Sequence, residues 1–185
     1  MSEKPARILE AAGELFRRYG FRRTSMELVA MEAGVAKPTI YAHFADKEAL
    51  FRAVIEAVSG SMFAAAKAAT EAGGPLDERL AAALSAKHTR YWELVRDSPH
   101  GEELMRSKDT LGEAIVKRFD RAYAKLLTDL LAAENLHLAR FGLTPATCTQ
   151  LLIRATSGAA YDATTAAVHR HHVKEIVTVV LAALR

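Results

Sequence analysis

Apolar residues recur every three or four positions along almost the whole 185-residue chain, and no apolar/polar alternation persists long enough to make a strand. That period suits helices and excludes an open sheet, so the expected fold class is all-α. Gly and Pro punctuate the pattern and mark where the helices should break. Ile8, Ala12, Leu15, Phe16 and Tyr19 share one face of a first helix. Gly20 should end it as a left-handed cap, with Phe21 folding back toward Phe16 and Arg17, Arg18, Arg22 and Arg23 crowding the exit. Thr24 with Glu27 three residues on has the spacing of a capping box and predicts a short second helix ending at Gly34. Pro38 suits the first turn of a third helix of two turns, which ends around Phe44. Asp46 can cap a long fourth helix whose Leu50, Phe51, Val54, Ile55, Val58 and Met62 form one stripe running toward Gly73-Gly74-Pro75.

Further helices are expected over about Asp77 to Asp97, Glu102 to Arg106, Leu111 to Ala133, Pro145 to Val168 and His172 to Leu184. The last two differ in kind from the others. One is rich in small residues, among them Ala155, Gly158 and Ala159, and the other is apolar on nearly all sides through Val173, Ile176, Val177 and Val180. A terminal helix without a polar face needs cover on both sides, so these residues are the expected contact with a second subunit.

Composition narrows the class. Half the residues are apolar and a quarter charged, and 10 Gly with 5 Pro leave no room for collagen or low-complexity disorder. The longest apolar stretch, Ile176 to Leu184, is interrupted by Thr178 and far too short for a membrane span, so no membrane partner is expected. Met-Ser-Glu-Lys-Pro at the amino end lacks the apolar core of a secretory signal, and the single Cys148 has no intrachain partner. Both features point to a cytoplasmic location. The net charge of +3 is too small to identify a nucleic-acid binder, so that argument must rest on where the cations stand.

Helix, short turn with Gly34, then a short helix is the arrangement of a DNA-binding helix-turn-helix, with the first helix as a brace. Ile40 and Phe44, four apart, would face the core, leaving Lys37, Pro38, Thr39, Ala42 and His43 outward and Tyr41 at the edge. A cation, a rigid apolar contact, hydroxyls and an imidazole are the mixture that base edges and phosphates require. A solvated surface on a helical hairpin fits the same spacing.

The block from Ile8 to Val54 resembles the tetracycline-repressor (TetR) family of bacterial transcriptional regulators. The residues that carry the likeness are Ala11-Ala12, Leu15-Phe16, Tyr19-Gly20-Phe21, Thr24-Ser25-Met26, Ala30, Ala33-Gly34-Val35, Lys37 to Tyr41, His43-Phe44, Lys47 and Leu50. The resemblance covers about a quarter of the chain. It implies a helix-turn-helix domain over 1–47 and a larger helical effector-binding and dimerisation domain over 48–185. It places Lys37, Pro38 and Thr39 near bases and Tyr41, His43 and Lys47 on phosphates, with Thr24 or Ser25 near a phosphate at the start of the second helix. It also implies a homodimer on an inverted-repeat operator, a small-molecule effector that releases DNA, and no cofactor. Ala36 departs from the family's usual Ser or Thr, which removes a helix cap.

Elsewhere the residues are less telling. His88, Tyr91, Trp92, Phe119, Tyr123 and Tyr161 join aromatic surface to polar tips, with Asp162 beside them as an acceptor, and suit a ligand pocket. Ordinary core packing explains each aromatic equally well. His169, His171 and His172 fall in an expected inter-helix turn without Cys or carboxylate at ligand spacing, and read as solvated loop residues with no metal. Cys148 reads as a small buried residue. No phosphate loop, nucleophile elbow or metal motif supports an enzyme. A helical protein-interaction module remains the rival reading, separable by its lack of salt-dependent DNA affinity.

Overall fold

The computed structural model describes residues 3–91, 96 and 98–185, and at 89–91 the backbone alone. Among them there is no strand. The helices are α1 (Glu3–Arg23), α2 (Met26–Glu32), α3 (Lys37–His43), α4 (Lys47–Glu71), α5 (Leu76–Tyr91), α6 (Gly101–Leu111), α7 (Glu113–Ala132), α8 (Pro145–Asp162) and α9 (Ala166–Leu184). A 3-10 turn spans Leu138–Phe141.

The chain forms two compact units, each with its own core. The first contains Met1–Gly60 and Glu93–Lys117. Ile8, Ala12, Leu15 and Phe16 of α1 meet Val29 and Ala30 of α2, Ile40 of α3, Leu50 and Phe51 of α4, and Leu104 of α6 in one buried cluster. Phe21 does fold back: its ring lies 5.8 Å from Phe16 and 4.8 Å from Phe51. Gly20 interrupts α1 rather than ending it, at φ 81° and ψ 166°, a conformation that only glycine adopts without strain. Around this kink, Ser98 Oγ donates to Arg17 O at 2.6 Å and Glu103 accepts from the Arg22 amide at 2.7 Å. The unit holding the three amino-terminal helices thus extends beyond residue 47 and takes in α6.

The start of α2 is set one residue later than the capping-box spacing suggests. Ser25 is the cap, accepting from the Leu28 amide at 3.1 Å, while Thr24 is buried and donates its hydroxyl to Gly20 O at 2.8 Å. Either hydroxyl can cap a helix, and the pull of Gly20 O on Thr24 decides between them. Gly34, at φ 63°, makes the turn to α3, and Arg7 ties that turn down by donating to Ala33 O at 2.7 Å. Ala36 caps α3 with no side-chain hydrogen bond, as its methyl group dictates. Asp46 accepts from the Ala49 amide at 2.6 Å, the expected cap of α4.

The second unit comprises Ser61–Trp92 and Arg118–Arg185. Leu80 and Leu84 of α5, Leu127 and Leu131 of α7, Cys148 and Leu152 of α8, and Val173, Val177 and Leu181 of α9 fill its core. Arg79 holds the α4–α5 turn by donating to Thr70 O at 2.7 Å, and the His137 amide donates to Leu184 O at 2.7 Å. The break between α8 and α9 falls at 163–165, earlier than expected. Thr165 caps α9 by accepting from the Val168 amide at 3.2 Å, so His169, His171 and His172 lie inside a helix rather than in a turn. By length and composition α4 is apolar enough to cross a membrane, although no unbroken apolar run in it is long enough to show this; its Leu50, Phe51, Ile55 and Ala66 are buried in the protein.

Candidate nucleic-acid interface and effector region

The exposed face of α3 is built by one buried residue. Ile40 is fully buried, which turns Lys37, Pro38, Tyr41, Ala42 and His43 to the surface and leaves Thr39 half-buried at the margin. Lys37 Nζ lies 2.6 Å from Glu27 Oε1 of α2 and 6.0 Å from the centre of the Tyr41 ring. That hydrogen bond and charge hold the Glu27 carboxyl below its ordinary range and raise the Lys37 ammonium. Lys47 donates to Arg22 O at 3.1 Å and rests 4.7 Å over the Phe21 ring, which orients it at the edge of the same unit. Ser25 is exposed, whereas Thr24 is buried with its hydroxyl bonded to Gly20 O of α1.

In the second unit the expected effector residues divide. Tyr123 is buried and donates to Ala83 O at 3.2 Å, and burial pushes its phenol far above the ordinary tyrosine range. Lys87 lies 5.6 Å from the centre of that ring while pairing with Asp120 at 2.7 Å, and Phe119 stands 6.4 Å from Phe63. Next to Lys87 in α5, His88 Nε2 is 3.5 Å from Ser157 Oγ of α8, and its ring is 4.6 Å from that of His169. His169 is buried with Nε2 3.0 Å from Thr156 O, a carbonyl that only accepts, so the proton of this imidazole sits on Nε2. Tyr161 is 87% exposed and Asp162 is exposed beside it, so neither joins this group. The Tyr91 side chain and Trp92 lie outside the described residues.

The expected dimer residues divide as well. Val173 and Val177 turn into the core of their own protomer and are unavailable to a partner, because α9 has an inward stripe of its own. Gly158 is exposed with open space beyond it, Ala155, Ala159, Ile176 and Val180 are half-buried, and Leu151 and Val179 are exposed apolar neighbours that the sequence reading did not name.

The sequence profile of bacterial regulatory proteins of the tetR family matches residues 8–54, which run from the first buried residue of α1 through α3 into α4. Over these residues the chain is similar to the tetR family of bacterial regulatory proteins. Its relatives include the HTH-type transcriptional regulator YhgD of Bacillus subtilis (strain 168), 40% identical over 79 residues, covering 43% of this chain and 41% of YhgD. The HTH-type transcriptional activator FasR of Mycolicibacterium smegmatis is 27% identical over 137 residues, covering 72% of this chain and 61% of FasR. The matched region thus spans between two fifths and about three fifths of these relatives' length. The likeness of fold reaches further: the fatty acid degradation regulator FadR from Bacillus halodurans superposes with a TM-score of 0.66 at 18% identity, covering 100% of this chain and 98% of that one.

Two residues carry more than their sequence suggests. His169 had a legible signal: it precedes Val173, Val177 and Leu181 at four-residue steps, and all four are buried. Local spacing marks Glu27 only as a capping-box partner and carries no signal of its contact with Lys37 across the turn.

Proposed function

We propose that this chain is a homodimeric, sequence-specific DNA-binding transcriptional regulator acting in the cytoplasm, a repressor that a small-molecule effector releases from an inverted-repeat operator. The observation that carries the reading is the outward face of α3, where Lys37, Pro38, Tyr41 and His43 stand opposite a fully buried Ile40. Lys37, Pro38 and Thr39 are assigned to bases, and Tyr41, His43, Lys47 and Ser25 to phosphates. The dimer is assigned to α8 and α9 through Leu151, Ala155, Gly158, Ala159, Ile176, Val179 and Val180. No catalytic role is proposed.

The effector is assigned to the second unit, near Phe119, Tyr123 and the imidazole of His88. Its class is a mostly apolar molecule with one hydrogen-bonding group, matching aromatic walls with a hydroxyl and an imidazole beside them. Release requires only that the ligand favour the conformer that fits DNA less well; a preference of ~1 to 3 kcal/mol changes affinity about 5- to 150-fold. Fluorescence anisotropy with duplex from the chain's own upstream region, at two salt concentrations, tests the reading. Tight, salt-dependent binding to that duplex over an unrelated one is expected; equal affinity for both, or none, refutes it and favours a protein-interaction module.

A further inference from the structure

We infer that Glu27 is a specificity-determining residue of the DNA-binding surface, reading a cytosine beside the guanine contacted by Lys37 and weakening attachment to every other sequence. The inference rests on the DNA-binding reading above. Lys37 is the first residue of α3 and Glu27 stands in the first turn of α2, yet their charged ends meet at 2.6 Å, with both side chains more than half exposed. An acidic group in this place is unexpected by electrostatics alone, because DNA presents a line of phosphates to any surface that approaches it. Two consequences follow from the contact.

The first concerns non-specific binding. While Glu27 holds Lys37, the pair adds no net cation, so Lys37 releases no counterion when the protein slides on arbitrary sequence. The second concerns the cognate site. In the major groove guanine offers O6 and N7 as acceptors, suited to an ammonium, and the paired cytosine offers N4 as a donor, suited to a carboxylate. A C·G pair therefore satisfies both members of the couple at once. At a base pair without a donor in reach, the carboxylate gives up water and part of its hold on Lys37 for nothing. Discrimination then comes from repelling wrong partners as well as attracting the right one. The Tyr41 ring stands beside Lys37, its centre 6.0 Å from the ammonium, on the same exposed face.

Selection from a randomised duplex pool, followed by affinity measurements on the selected and an unrelated duplex, tests this with wild type, Glu27→Gln, Glu27→Ala and Lys37→Ala. Glu27→Gln should bind the unrelated duplex more tightly and steepen its log–log salt slope by about one unit. It should lose about 5- to 150-fold of preference for cytosine at one position per half-site, and the loss should be absent when Lys37 is already Ala. A Glu27→Gln protein with wild-type salt slope and base preference overturns the inference. So does equal weakening on both duplexes by Glu27→Gln and Glu27→Ala, which would mean that Glu27 merely supports α2. Wild type without salt-dependent binding to any duplex refutes the DNA-binding reading itself, whereas wild type that binds selectively beside an unchanged Glu27→Gln sinks Glu27 alone.

Discussion

A histidine ring taken out of water gives up its proton more readily, and His88 shows the effect. Burial first, then the neighbouring His169 and Lys87, lower its pKa from 6.5 to about 4. In the unfolded chain the same ring titrates near 6.5, so between about pH 6.5 and 4 the unfolded state binds the extra proton. The contribution to stability is therefore full above pH 6.5 and is lost as the pH falls through that window. Between pH 7.5 and 5.5 the wild type should lose about 1 kcal/mol more stability than His88→Asn. Urea denaturation midpoints at the two pH values measure this, and equal losses in both proteins would contradict it. Sequence could place His88 on a helix, but not its ring against His169, since the two are far apart along the chain. Thr24 and Ser25 make a related point at shorter range: both are good caps, and which one turns inward depends on the Gly20 and Leu15 carbonyls, which the kink in α1 places beside Thr24.

Helices were legible wherever their stops were chemical. Pro38 and Asp46 lie at the starts they suggest, and α7 falls within a residue or two of its apolar period. The sequence misleads where a polar run resembles a turn. His169 to His172 sit in α9 because Thr165 caps that helix and because the buried stripe through Val173 continues back one turn. Gly20 was legible as special but not in its geometry, since φ 81° with ψ 166° lets the chain kink and carry on to Arg23. Gly20→Ala should destabilise the protein by about 1 to 3 kcal/mol. The added methyl would also meet the Glu103 carboxylate at 2.6 Å, the group that accepts from the Arg22 amide. Gly13, in the regular part of the same helix, has only Val54 at 3.9 Å, so Gly13→Ala should stabilise by about 0.5 to 1 kcal/mol. Thermal denaturation of the two variants should give shifts of opposite sign.

The whole molecule is where sequence said least, because an interface leaves its mark as small and apolar residues that a core also uses. Gly158 separates the two uses. In the protomer a Cβ there meets nothing within 4 Å and the position is exposed, so Gly158→Leu should leave the single subunit folded and improve α8 by about 0.5 to 1 kcal/mol. If α8 packs on its twin in a partner, the same leucine should part the subunits. Sedimentation should therefore show a shift from dimer to monomer with helical content retained, and a persisting dimer would move the interface elsewhere.

The first compact unit is not continuous along the chain: it takes Met1–Gly60 and then, after an excursion through the Ser61–Trp92 segment of the second unit, Glu93–Lys117. On the ribosome this imposes an order of events. The helices that carry the recognition surface emerge first, yet Leu104 and the Ser98 and Glu103 bonds at the α1 kink arrive only with the second segment. At about 5–20 residues per second the nascent recognition helices wait several seconds for the piece that completes their core. During that interval Phe16, Phe51 and their neighbours lack part of their cover, so chaperone capture of the newborn chain should peak before residue 117 emerges and fall after it.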